Sequence, residues 1–270
     1  MEKIEITEEY LVEHFIGLSK SYRVIGEETG QTENHVKARA RKFGVKRVNG
    51  NSTGRKFRYP INESLINRLD PVFNYLAGLA ITDGHLSEKT GRLHITSANK
   101  GSKEVLEALA RYFSSNCPVR VSNTPTMIAK GAKPLNNFYL YSDQLLSYLG
   151  EFYGSPCGNK ALIIGKVNLG GLPKECVAML LRGIIDGDGS IQERCAIRVE
   201  MGSKDIIASV AEMVYILAPD IKPIVGQTPR GYHYIYMSSQ PAMKLLDILY
   251  QGYEDLRYAD KYSKYSGISI

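Results

Sequence analysis

Hydrophobic side chains recur along this chain with two different periods. Residues 7–18, TEEYLVEHFIGL, space Leu11, Phe15 and Leu18 three or four apart, as on one face of a helix. SYRVIGEETG reads as a short second helix stopped by Gly30. QTENHVKARARKFG reads as a third, with Thr32 as N-cap, Gly44 just past the end, and Val36, Ala40 and Phe43 facing inward. From residue 62 onward, apolar helices alternate with strands of period two. DPVFNYLAGLAITDG predicts a helix opened by Asp70 and Pro71 and stopped by Gly84. LPKECVAMLLRGIIDGDG predicts another, opened by Pro173 and stopped by Gly189.

The segments that follow these two helices match as well. HLSE, GRLHITS, helical SKEVLEALARYF, strand-like VRVSNTPTMIAK and NNFYLYS, and helical DQLLSYLGEFYG succeed the first. SIQER, CAIRVEM, helical SKDIIASVAEMVYIL, IKPIVGQTP, GYHYIYMSS and helical PAMKLLDILYQGY succeed the second. Each half is therefore predicted as α-β-β-α-β-β-α, which makes the fold α+β. Arg92, His94 and Thr96 share one strand parity and Leu93 and Ile95 the other; Gln192, Arg194, Arg198 and Glu200 oppose Ile197, Val199 and Met201. Such alternation describes a sheet with one polar face. The register of YHYIY stays open, because Tyr232, Tyr234 and Tyr236 suit either face.

A chain of 270 residues accommodates two or three compact units. The expected division is a head at 1–48, a polar basic linker at 49–61 built on NGNSTG and RKFRYP, and two repeats at 62–168 and 169–270. No apolar run approaches the roughly eighteen residues of a membrane span, and MEKIEITEEY is acidic, unlike a signal peptide. A cytoplasmic protein without membrane contact is expected. Cys117, Cys157, Cys176 and Cys195 lie far apart with no CxxC, which suits reduced packing residues rather than zinc or disulfides.

Charge adds a partner. Nine of the 34 basic residues lie between Lys37 and Arg58 with no acid among them, leaving 25 against 28 acids elsewhere. A cationic stretch beside a helix is the footprint of a polyanion. Three short helices with a tight turn before the third resemble helix-turn-helix DNA-binding heads of bacterial and phage proteins. In that geometry Glu33, Asn34 and Lys37 are candidate base readers, while Arg41, Lys42, Lys46 and Arg47 would hold phosphates, with Arg55, Lys56 and Arg58 extending the positive charge.

The doubled motif adds chemistry. LAGLAITDG at 76–84 and LRGIIDGDG at 181–189 both end in Asp-Gly. Small residues recur four apart in each, Gly78 with Thr82 and Gly183 with Gly187, so two such faces can pack backbone against backbone. Packed in parallel about a pseudo-twofold axis, they would bring Asp83 and Asp188 together at the negative ends of two helices. Two carboxylates so placed call for a cation, and hard oxygen ligands with open positions suit Mg²⁺.

The two motifs, their separation and the elements after each resemble those of monomeric, two-repeat LAGLIDADG homing endonucleases, over residues from about 62 to the C-terminus. The resemblance implies two pseudo-symmetric αββαββα repeats whose four-stranded sheets form a saddle in the DNA major groove, so that Arg92, His94, Gln192, Arg194 and Arg198 face the duplex. It implies metal ligation by Asp83 and Asp188, with Gly84 and Gly189 beside them, by Mg²⁺ with Mn²⁺ as a substitute. A lysine after the last helix of each repeat matches Lys160 and Lys261. The implied reaction is hydrolysis of both strands of a long specific target in double-stranded DNA, leaving short 3′ overhangs, by a monomer that is nucleoid-associated when bound. The chain departs from the family motif at Ile81, where the second copy keeps Asp186; packing is expected to tolerate the apolar residue. Two alternatives remain: a catalytically silent DNA-binding transcription regulator of the same fold, and an RNA-splicing maturase. An intein insert is not expected, because the chain starts at Met1 without a nucleophile and ends SGISI without a terminal His-Asn.

Overall fold

The computed structural model describes residues 4–17, 20–45, 61–122, 134–155, 157, 165–192 and 195–267. Leu18, Lys46, Arg47, Arg55, Lys56, Arg58, Lys160 and Arg194, all singled out by the sequence, lie outside the described residues, as does most of the stretch after Ser122 predicted as strand. The chain divides into two compact units, Met1–Arg55 and Lys56–Ile270.

The first unit is all helical. The hydroxyl of Thr7 accepts the Tyr10 N–H to start α1 (Glu8–Leu11), and the backbone then widens into a π-helix over Val12–Gly17 where a single α-helix is predicted. Leu11 and Phe15 still reach the core. Ser21 caps α2 (Tyr22–Thr29), which Gly30 closes at φ 66°, and Thr32 caps α3 (Glu33–Lys42) by accepting the His35 N–H at 3.2 Å. A side chain at Gly26 would meet the Gln31 carbonyl at 2.7 Å, so glycine there lets the turn into α3 pass directly over α2. Ile6, Leu11, Phe15, Ile25, Val36, Ala40 and Val45 form a core of their own, with Phe43 packed at its edge.

The second unit holds two halves with the same element order. In the first, α4 (Pro71–Thr82), β1 (Gly84–Ser87), β2 (Arg92–Ser97), α5 (Ser102–Tyr112), β3 (Arg120–Ser122), β4 (Leu135–Tyr141) and α6 (Asp143–Tyr153) follow one another. In the second come α7 (Lys174–Gly187), β5 (Ser190–Ile191), β6 (Ile197–Met201), α8 (Lys204–Leu217), β7 (Ile224–Gln227), β8 (His233–Met237) and α9 (Ser239–Leu249). Each half pairs its strands in the antiparallel order first-second-fourth-third, β1-β2-β4-β3 and β5-β6-β8-β7, so the α+β fold and its internal pseudo-symmetry are both present. A further helix, α10 (Ala259–Ser266), follows. Its pattern hid it, because the residues it packs inward are Tyr262 and Tyr265, which lie against the ring of Tyr250.

The helices α4 and α7 are buried on nearly every side and run through one continuous core shared by both halves. A Cβ on Gly78 would lie 2.9 Å from the Cα of Gly183 and closer still to the Leu180 carbonyl. One on Gly183 would lie 3.1 Å from the Cα of Gly78 and closer still to the Tyr75 carbonyl. One on Gly187 would strike the side chain of Thr82. Contacts that advance together along both helices define a parallel pair in backbone contact, as the small-residue spacing requires.

Glycine substitutions therefore have opposite expected effects within this unit. Gly183→Ala forces α4 and α7 apart and is expected to cost about 1–3 kcal/mol. Gly150→Ala, on the exposed face of α6 with nothing nearer its new methyl than the Ser155 carbonyl at 3.8 Å, is expected to gain about 0.5–1 kcal/mol. Urea denaturation midpoints of the two variants check both signs.

Candidate active site

The pair of central helices delivers two acids to one place. Asp83 and Asp188 are the C-caps of α4 and α7, with backbone N–H groups still donating to Leu79 O at 2.9 Å and Ile184 O at 3.1 Å. Thr82 and Gly187, the residues just before them, meet across the interface, so the two helix ends that the acids cap lie together. Both carboxylates then add to the partial negative charge of two helix ends. Gly84 and Gly189 stop the helices without a left-handed cap, since neither has a positive φ. A side chain on either would sit 2.6 Å from the carbonyl of Ala80 or Ile185, where the first strand of each half folds back over the last helical turn.

Lys261, on the first turn of α10, reaches this point. Its ammonium donates to the carbonyl of Gly189, one residue past Asp188. Burial lowers its pKa, while Asp260, Asp186 and Asp83 act in the opposite sense. The Gly189 carbonyl retains a second lone pair. Among the described residues no three His, Cys, Asp or Glu side chains converge as a metal cage. The donor set at the helix ends is thus two carboxylates, which suits a hard cation that keeps most of its waters or takes phosphate oxygens.

Beside the acids lies a buried polar network that the sequence left unassigned. Asp186 is fully buried; its Oδ2 accepts the Tyr75 hydroxyl at 2.8 Å and the Tyr258 N–H at 3.3 Å, and its Oδ1 accepts the Tyr250 hydroxyl at 2.9 Å. Burial pushes the carboxyl up to about 6 despite these donors and the nearby Arg182. Arg182, one turn earlier and equally buried, donates to the carbonyls of Leu249, Gly252 and Tyr253, so its cation meets the last carbonyl of α9 and two in the loop after it. Its guanidinium lies 5.8 Å and 5.1 Å from the ring centres of Tyr75 and Tyr250. In the first motif the same two positions hold Ala77 and Ile81, and Ile81 is packed in the core. The signal for the network was the paired exchange of Ala and Ile for Arg and Asp, four residues apart.

The two sheets turn polar faces outward. On the first, Arg92, His94 and Thr96 alternate with buried Leu93 and Ile95, and across the ladder His94 stacks on Tyr139 at 4.4 Å while His94 and Thr96 hydrogen-bond Asn137. Burial lowers the His94 pKa, partly offset by the hydrogen bond to Asn137. On the second, Arg198 bridges to Glu200 at 2.8 Å and lies 4.2 Å from the centre of the Tyr234 ring. The open register resolves: Ile235 is buried, Tyr234 and Tyr236 share the face of Arg198, and Tyr232 is exposed before the strand. Gln192 is exposed between β5 and β6. In the helical unit Glu33 and Lys37 pair at 2.7 Å beside exposed Asn34, and Arg41 and Lys42 are exposed at the end of α3.

No protein-family model matches the sequence. No curated protein matches it either. Among solved structures, full-length DUF199/WhiA from Thermatoga maritima is similar at 13% identity and a TM-score of 0.48, over 83% of this chain and 68% of that one. A mesophilic variant of the homing endonuclease I-DmoI is similar at 13% identity and a TM-score of 0.49, over 69% of this chain and 99% of that one. I-DmoI in complex with DNA and Mn is similar at 15% identity and a TM-score of 0.47, again over 69% and 99%.

Proposed function

We propose that this chain is a site-specific DNA endonuclease that hydrolyses one phosphodiester in each strand with the help of a divalent metal ion, leaving short 3′ overhangs. The observation that supports it most is the parallel contact of α4 and α7, which puts two acids at two negative helix ends with a partly desolvated lysine beside them. Repulsion there is a standing cost that a cation removes. An Mg²⁺ ion held by Asp83 and Asp188 would supply charge neutralisation at the phosphate and a more acidic water. The chain's own parts are then clear. Asp83 and Asp188 orient the site toward both strands, the ammonium of Lys261 offsets charge that builds on the phosphate oxygens, and the polar faces of both sheets lie along the groove. The helical head, with the basic residues after it, adds affinity through phosphate contacts.

A second reading has its own support. The polar sheet faces and the helical head with its exposed Arg41 and Lys42 serve duplex binding with or without hydrolysis, so the same frame also suits a DNA-binding regulator that does not cut. Incubating the full chain with randomised duplexes in Mg²⁺ or EDTA and sequencing the ends separates the two. Metal-dependent double-strand breaks are expected in Mg²⁺ and none in EDTA; enrichment of bound duplexes without breaks contradicts the nuclease.

Asp83→Asn and Asp188→Asn are each expected to take cleavage below detection with duplex affinity retained, as read by gel shift beside cleavage; continued cutting by the Asp188 variant refutes its role. Deleting residues 1–48 removes a unit with its own core and is expected to weaken target binding about tenfold or more without moving the cut positions. Shifted cuts would show that the head sets the register.

A further inference from the structure

The second motif differs from the first by two buried ionisable residues that reach toward the same stretch of chain. Arg182 holds the carbonyls of Leu249, Gly252 and Tyr253, and Asp186 holds the Tyr250 hydroxyl and the Tyr258 N–H. Together they fix residues 249–258 at both ends. Tyr258 is in turn the N-cap of α10; its carbonyl accepts the N–H groups of Lys261 at 3.1 Å and Tyr262 at 3.0 Å. Three residues beyond the Asp186 contact, Lys261 then reaches the Gly189 carbonyl. The chain of contacts therefore runs from α7 out through the C-terminal arm and back to the end of α7.

We infer that Arg182 and Asp186 form a clamp whose task is to position Lys261 at the helix-end acids, Asp186 being a positioning residue rather than a metal ligand. Burying two charges inside a helix pair that in its first copy uses Ala77 and Ile81 is costly for stability alone, since apolar packing there is at least as good. What the pair adds is an attachment to α7 itself for an arm that is otherwise tied to the rest of the unit through the Asp260 N–H on the Lys100 carbonyl, the Cys195 thiol on the Lys264 carbonyl and the Tyr265 hydroxyl on Asp247. The first motif, with Ala77 and Ile81, has no such attachment through these positions. Among the described residues, the two central helices thus differ in what they offer to a segment packed against them at these positions. This rests on the nuclease reading only in what the lysine is for, not in where it is held.

The test uses the full chain and reads Lys261 directly. Reductive methylation with formaldehyde and cyanoborohydride, followed by peptide mass spectrometry, gives the rate at Lys261 relative to exposed Lys264 on the same helix. In the unaltered protein Lys261 is expected to react about tenfold more slowly or less. Asp186→Asn keeps an acceptor for the Tyr258 N–H and is expected to preserve most of that protection. Asp186→Ile, which restores the residue of the first motif, is expected to raise Lys261 to within about twofold of Lys264 and to speed exchange of the Tyr258 amide. Tyr250→Phe removes one donor without changing shape, is expected to fall between, and serves if the isoleucine variant does not fold. Unchanged Lys261 protection in Asp186→Ile, or in Tyr250→Phe where the former is unfolded, overturns the clamp. On a duplex that the unaltered protein cuts, Asp186→Ile is expected to slow one strand more than the other, so that nicked product accumulates at unchanged affinity; equal slowing of both strands counts against the asymmetry. A protein that never cuts but whose Lys261 responds as stated defeats the nuclease reading and leaves the clamp standing.

Discussion

The contact of Gly78 with Gly183 is the constraint on which the second unit depends. Only where neither helix carries a side chain can two backbones approach this closely, and this approach brings together the ends of the two helices, which Asp83 and Asp188 cap. The same contact joins the halves into one core, so fold stability and site geometry are set by the same few atoms. A substitution that wedges the helices apart cannot spare the site.

That coupling explains why the interface tolerates such costly electrostatics. Like carboxylates at helix ends, a buried aspartate with its pKa pushed up to about 6 and a buried arginine all lie on or near two helices. Stability alone would favour apolar residues at these positions, as the first motif has at Ala77 and Ile81. The charges concentrate instead where α4, α7 and the C-terminal arm meet, which is also where Lys261 arrives. The outward sheet faces differ between halves in the same spirit. One carries a hydrogen-bonded His94–Thr96–Asn137 cluster and the other an Arg198–Glu200 pair whose guanidinium lies over Tyr234.

Much of this was legible in the chain because it is local. The N-cap at Thr32, the helix start at Asp70 and Pro71, strand alternation at Arg92–Ser97 and the four-residue spacing of Gly78, Thr82, Gly183 and Gly187 depend on near neighbours and are present in the structure. What escaped depends on partners far along the chain. Asp186 meets Tyr75, 111 residues earlier, and Tyr250, 64 residues later, so its burial and acceptor role have no local signature. Helix α10 and the register of YHYIY were opaque because tyrosine suits either a core or a polar face. The reason for Gly84 and Gly189, a close approach to the preceding turn, likewise required the strand's return path.

If Asp83 and Asp188 jointly hold one divalent ion at the ends of α4 and α7, as we propose, electron paramagnetic resonance of Mn²⁺ titrated into the full chain with duplex DNA will show bound Mn²⁺ that is lost when Asp83→Asn and Asp188→Asn are combined, with the fold and duplex affinity retained. Mn²⁺ held equally well by the doubly substituted protein would rule out this pair as its ligands.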